Sequence, residues 1–302
     1  SLEALADVGI SWTMLAPHQV LADHGEGGVT PPAHTPLVVT LPTGRSITIV
    51  PYDGELSHGV AFGGLLDDGL NFANTVAGRA TAAAHTDANP LVVLSTDMET
   101  FGHHHRHGEM ALAHAVEAWR GRSDVELITA ERYLQRHPAT EPGRLVERTS
   151  WSCAHGVERW RSDCGCRFEE VDGQDQRWRR PLRDVLDAVA DIAGRLFNDH
   201  AGADLVDPWA ARYDYGMVLG ARPERRAGMR DQFLGKHLAP GGSAERAWVW
   251  MEAERLRLEA WSSCAWFFDS PDRIETVQVL AVARASLERF GQLTDTELVT
   301  WF

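Results

Sequence analysis

The chain has 302 residues, a net charge of −14 and a pI near 5.4, which argues against nucleic acid or an anionic membrane surface as its main partner. Hydrophobic residues make up 44% and charged residues 24%, enough apolar material for two domains or one large barrel. No apolar run approaches the roughly 18–20 residues that cross a bilayer.

Leu2, Leu5 and Ala6 stand at helical spacing and predict a short helix ended by Gly9. Ile10–Leu15 reads as a strand that runs into Ala16-Pro17-His18-Gln19, so His18 lies just past its end. Asp23–Thr35 is rich in Gly, Pro and His and reads as a loop. Leu37–Leu41 and Ser46–Val50 flank Pro42-Thr43-Gly44-Arg45 and predict a β-hairpin inserted between barrel elements. His58–Phe62 is ambiguous between strand and helix, Leu65–Val76 is expected to be helical, and Ala80–Asn89 reads as linker or helix tail.

Leu91-Val92-Val93-Leu94 then forms a short apolar run led by Pro90, which predicts a buried strand. It ends in Asp97 and Glu99, followed by Gly102 and by His103, His104, His105 and His107. In α/β sheets chemistry collects just beyond the carboxyl ends of the strands. Two carboxylates spaced by one residue share a face if the chain stays extended, and such a pair can act as acid and base. A turn with capping carboxylates is the plainer alternative. The histidines admit three readings: lining a sugar site, structural or surface groups, and metal ligation. His103 and His107 share one face if the next helix begins early, an i, i+4 spacing that suits zinc.

Met110, Ala113, Val116 and Trp119 predict a helix over Glu109–Trp119, ended by Gly121. Val125–Thr129 reads as a strand, His137–Gly143 as a Pro-containing break and Leu145–Trp151 as a last strand or an extended approach to a cysteine-rich segment. From Pro181 onward the pattern is helical. Leu182, Val185, Leu186, Val189, Ala193 and Leu196 form one stripe, residues 224–237 a more polar helix, and Ser243 caps a third. Ser270-Pro271 opens a fourth, expected to stop at Gly291. The expected domains are residues 1–150, alternating strands and helices, and residues 151–302, helical with a cysteine-rich entry.

Four cysteines are too few for a disulfide scaffold, and three of them fall between 153 and 166. That pattern suits a reduced, cytoplasmic protein or a ligand-binding cluster. Cys153-x-His155 and Cys164-x-Cys166 offer four ligands and Cys264 a fifth, but the spacing is not a standard zinc-finger one. A Cys164–Cys166 bridge would be strained. A packed, reduced group is the favoured reading, with Cys153, Cys164, Cys166 and Cys264 as secondary metal candidates and no cofactor expected. Eleven tryptophans serve either core packing or stacking on sugar rings.

Ser95-Thr96-Asp97-Met98-Glu99-Thr100-Phe101-Gly102-His103-His104 resembles the fourth conserved region of glycoside hydrolase family 57. Thr149–Gly156 with Asp163–Cys166, Asp207-Pro208-Trp209-Ala210-Ala211-Arg212, Ser263–Phe268, Glu275–Gln278 and the opening Leu2–Gln19 resemble a bacterial branch of that family. The C-terminal half of that branch is a domain of unknown function. The resemblance spans essentially the whole chain. It implies the C-terminal part of an incomplete (β/α)7 barrel, an α/β unit, followed by an all-α helical domain. It implies a retaining glycosidase or transglycosidase acting on an oligo- or polysaccharide, of α-glucan type, with no nucleic acid or membrane partner.

By the resemblance Asp97 is the acid/base, and the family's nucleophile, a Glu on an earlier strand, has its place before Ser1. The chain is accordingly expected to be an N-terminally truncated piece, inactive alone. Glu99, His18, His103, His104, Trp151, His155 and Trp266 are the expected lining of the sugar site. The family usually has Gly where Met98 stands. As the acid, Asp97 must hold a proton near neutral pH, which burial and neighbouring carboxylates favour. The rival readings are a metal-dependent carbohydrate deacetylase and a non-catalytic carbohydrate- or metal-binding protein on the same fold.

Overall fold

Strand-forming runs are confined to the first half of the chain and helical stripes dominate the second, and the structure, a computed structural model, follows that division. It describes residues 2–23, 34–168, 173 and 175–300, so most of the loop expected at Asp23–Thr35 lies outside the described residues. The chain forms two compact units, Ser1–Ala154 and His155–Phe302.

In the first unit, helix α1 (Leu2–Asp7) leads into strand β1 (Trp12–Leu15). Strands β2 (Val20–Ala22), β3 (Leu37–Thr40), β4 (Ser46–Pro51) and β5 (Glu141–Leu145) join it in a five-stranded sheet of order β1-β4-β3-β5-β2. The predicted hairpin is β3 and β4, antiparallel with Leu37 opposite Ile49. It is not an insertion, because β1 pairs in parallel with the free edge of β4 and β5 in parallel with that of β3. The hairpin is thus the middle of a mixed sheet. Leu37, Val39, Ile47 and Ile49 alternate onto one face and are buried with Val20 and Ala22. This is the period-two pattern of a half-buried sheet.

Three strand expectations need correction. The final strand is Glu141–Leu145, earlier in the sequence than the Leu145–Trp151 reading. Pro142 and Gly143 disguised it, since both residues are poor strand formers. Gly143 is required by close approach: a Cβ there would stand 2.8 Å from the Leu37 Cβ. Leu91–Leu94 is not a laddered strand. Leu91 is buried, but the segment makes single contacts, Leu91 N–H to the His34 carbonyl at 3.2 Å and the Val93 carbonyl from Asp53 N–H at 2.8 Å. Val125–Thr129 likewise forms no strand and delivers Thr129, whose side chain caps the following helix.

Two helices of this unit begin at capping carboxylates. Asp53 accepts from Leu56 N–H to start α2 (Gly54–Ala61), which resolves the ambiguous His58–Phe62 stretch as helix. Asp68 accepts from Leu70 and Asn71 to start α3 (Gly69–Ala83). Helices α4 (Gly108–Arg120) and α5 (Ala130–Arg136) follow. Phe72 and Ala73 of α3 pack with Ala111 and Ala115 of α4, and Trp119 meets Phe72 edge-on at 5.6 Å while donating Nε1–H to the Ala73 carbonyl.

The second unit is helical. Helix α6 (Arg179–His200) buries Leu182, Leu186, Val189 and Ala193 of the predicted stripe, and with them Phe197. Asp207 and Pro208 open α7 (Pro208–Leu219), with the Asp207 carboxylate accepting from Trp209 and Ala210. Helices α8 (Arg226–His237), α9 (Ala244–Glu259) and α10 (Ile274–Thr294) complete it, and Ser243 caps α9 as expected. Phe197 and Phe290 both meet the fully buried Trp250, whose indole N–H donates to Asp204 at 3.0 Å. Gly291 does not stop α10, which continues to Thr294 and ends on Asp295 with φ 53°. A Cβ at Gly291 would lie 2.6 Å from the Thr296 carbonyl oxygen, so the glycine admits the returning chain.

Candidate functional site

The Asp97 segment is fixed at both ends. Tyr52 N–H donates to the Leu15 carbonyl and the neighbouring Asp53 N–H to the Val93 carbonyl. The end of β4 is therefore flanked by β1 on one side and the 91–94 segment on the other. His18 and Asp97 each follow within a few residues of that row, so both segments leave the same end of these elements. Ser95 N–H then donates to the Ser57 hydroxyl at 3.0 Å. At the far end the His105 ring bonds the Ala61 carbonyl at 2.8 Å.

Between these anchors the loop is bonded to itself. Asp97 precedes a 3-10 turn, Met98–Thr100, and makes no side-chain cap. Its carbonyl accepts from Thr100 N–H, and the buried Thr100 shares a 2.9 Å hydroxyl contact with Thr96. Glu99 holds the histidines through its carbonyl, which accepts from His103 and His104 N–H at 3.1 and 2.9 Å. The two rings lie 5.3 Å apart, centre to centre. Gly102 turns the chain at φ 113°, where a side chain would be strained. The outcome is a folded loop that presents Asp97, Glu99, His103 and His104 to solvent, with Met98 85% exposed between the carboxylates.

Three expectations about this loop change. Asp97 and Glu99 follow extended chain but are carried by a 3-10 turn, so the strand alternation does not align them. Asp97 is exposed, so the burial expected around the acid is not found in this loop. The i, i+4 reading of His103 and His107 fails, because α4 starts at Gly108 and His107 precedes it with φ 67°. Among the described residues, Asp97, Glu99, His103 and His104 form no group of converging metal-ligating atoms.

His18 bonds the Ser150 carbonyl through Nε2 at 3.0 Å, which brings it beside the exposed Trp151 in the same unit. Trp266 is different. It is 2% exposed in the core of the second unit, near-parallel to Trp261 at 6.3 Å, and donates Nε1–H to the Arg179 carbonyl. Neither face is open to a sugar, and Trp266 leaves the expected lining. His155 is exposed and lies 3.4 Å, ring Nδ1 to Sγ, from Cys166.

Cys153, His155, Cys164 and Cys166 converge, whereas the exposed Cys264 stands outside that group. Sequence reasoning missed Arg179, which is fully buried and donates to the Cys164 sulfur at 3.7 Å and the Cys166 carbonyl at 2.9 Å. An arginine beside Trp178 at the start of an apolar helix was the available signal. Burial depresses the Arg179 guanidinium below its usual range, and nearby Arg159 acts in the same direction.

Residues 175–302 match a domain of unknown function, DUF3536. The chain is similar in structure to a novel exo-type maltose-forming amylase from Pyrococcus sp. ST04, with a TM-score of 0.71 and 14% sequence identity. The match covers 96% of this chain and 53% of the amylase chain, so this chain spans about half the length of that structure. At that identity the likeness concerns the fold. No curated protein matches in sequence. No helix among the described residues is long and apolar enough to cross a membrane. Residues 175–302 therefore carry the DUF3536 match, and the chain shares the fold of that amylase.

Proposed function

We propose that this chain belongs to a retaining glycoside hydrolase or transglycosidase acting on an α-glucan-type oligo- or polysaccharide, with Asp97 as the acid/base. The observation that carries this reading is the doubly anchored loop that exposes Asp97 just beyond the end of β4, beside the row where β1 and the 91–94 segment meet it. The fold likeness to a maltose-forming amylase supports the substrate class. In the proposed barrel, β1, β4 and the 91–94 segment are neighbouring staves of an incomplete (β/α)7 arrangement.

The chemistry follows from the acetal. A glycosidic oxygen is a poor leaving group and must receive a proton as its bond to the anomeric carbon breaks. A second carboxylate attacks the anomeric carbon from the opposite face and forms a glycosyl ester, which water or another sugar hydroxyl then opens. Asp97 gives its proton to the leaving oxygen in the first step and takes one from the incoming hydroxyl in the second. In this proposal the nucleophile is a Glu outside residues 1–302, as the family resemblance implies. In retaining enzymes that carboxylate stands about 5–5.5 Å from the acid/base. Glu99, His103, His104, His18 and Trp151 bind the sugar through hydroxyl hydrogen bonds and ring stacking.

Asp97→Asn in the full-length protein is expected to lower turnover of a malto-oligosaccharide by about 10²–10⁴-fold, the usual worth of a positioned acid/base. The first product anomer released by the unaltered enzyme is expected to keep the substrate's configuration. Undiminished turnover in the variant, or inversion at the anomeric carbon, would overturn the proposal.

A further inference from the structure

Cys153, His155, Cys164 and Cys166 each bring one ligating atom within 4.8 Å of the others. With Zn–S about 2.3 Å and Zn–N about 2.0–2.1 Å, the nitrogen-to-sulfur edge of a tetrahedral zinc site is about 3.6 Å. The His155 Nδ1 to Cys166 Sγ distance, 3.4 Å, is close to that edge. The group therefore has nearly the dimensions of a coordination shell.

All four residues belong to one continuous loop, 153–166. A single residue separates Cys153 from His155, so its place in the group follows from chain connectivity. Gly165, with φ 76°, sits between Cys164 and Cys166. Left-handed backbone there bends the pair so that both sulfurs turn to one point, a conformation a side chain would strain. The cysteines are thiols, and a Cys164–Cys166 disulfide would be strained at that spacing.

The donor set indicates the metal. Three thiolates and one imidazole in tetrahedral arrangement suit zinc, and oxygen-preferring cations have no ligand here. Four protein ligands leave no open position, which makes the site structural. Arg179 supports it from outside: its guanidinium faces the Cys164 sulfur and the Cys166 carbonyl. Zinc with three thiolates and a neutral imidazole carries one net negative charge, which a buried guanidinium offsets.

We propose that Cys153, His155, Cys164 and Cys166 hold one structural zinc ion. The test is elemental analysis of the chain purified without added metal and passed over a chelating resin. It should retain about one zinc per chain, as a closed four-ligand site does. Cys164→Ser and Cys166→Ser should lose nearly all of it, whereas Cys264→Ser should keep it. A second measurement uses the unaltered chain and so does not depend on whether the loop variants fold. Cobalt(II) in place of zinc should give the thiolate-to-cobalt charge-transfer band and the strong visible bands of a tetrahedral site. The three clustered thiols should also react with a disulfide reagent far more slowly than Cys264 until a strong chelator is added. Folded protein with less than about a tenth of a zinc per chain and no cobalt–thiolate band would overturn the proposal, as would full zinc retention in Cys164→Ser.

Discussion

Glu254 is 1% exposed and takes Arg212 Nε at 2.9 Å and Arg257 Nη2 at 2.8 Å on the same oxygen. Two guanidiniums on one buried carboxylate satisfy each other only while all three are present. Glu254→Ala is expected to cost about 3–5 kcal/mol, the penalty for stranding a buried charge, measured by urea unfolding. Asp214 shows the same logic at the surface. Hydrogen bonds from Lys236 and then His237 hold its carboxyl below the ordinary value of 3.8. A lowered carboxyl stabilises the fold above its unfolded value and loses that contribution as pH falls through the folded one. The stability gap between the protein and Asp214→Asn should therefore be present at neutral pH and close as the pH drops below 3.8. A gap that widens there would contradict the assignment. Asp97, Glu99 and the histidines were legible as a cluster, because residue types that do chemistry are conspicuous. Trp266 was not legible as core, because tryptophan has the same composition whether it stacks on a sugar or on Trp261.

Caps and stripes carried over well to structure because they are local. Ser243 sits at the start of α9 and accepts from Arg246 N–H, as its position before a helical pattern predicts. Ser243→Ala should cost about 0.5–2 kcal/mol, read as a lowered midpoint in thermal unfolding. Strands were less legible, since a strand is defined by its partners and the period-two pattern says nothing about who they are. Leu91–Leu94 has the apolar run but lacks a ladder, and Glu141–Leu145 has the ladder but carries Pro142 and Gly143. Gly143→Ala puts a methyl 2.8 Å from the Leu37 Cβ, between β3 and β5. Overpacking of this kind typically costs about 1–3 kcal/mol, and the same unfolding measurement would show it. Gly291 misled for a related reason. A glycine near a helix end usually marks a stop, but here it makes room for the Thr296 carbonyl, a contact from the chain that returns after the helix.

For the whole molecule, the change from strand-bearing to helical chain was legible from periodicity alone, because each unit builds its core from its own pattern. The first buries alternating Leu37, Val39, Ile47 and Ile49, and the second a helical stripe along α6 with Trp250 and Phe290. The mixed order of the sheet was not legible, since parallel pairing joins segments far apart in sequence. The cysteine loop was legible as a set of possible ligands, but its convergence rests on backbone turns at glycines that composition does not reveal.

Protonation of the leaving oxygen by the proposed acid Asp97 should show in how the rate depends on the leaving group. Kinetics of Asp97→Ala in the full-length protein should be compared on two aryl α-glucosides, one with a dinitrophenol and one with a phenol leaving group. A dinitrophenolate departs without a proton, so its kcat/KM for the first step should fall little, while that for the phenyl glucoside should fall by about 10²-fold or more. Equal losses on both substrates, or none on either, would contradict the assignment.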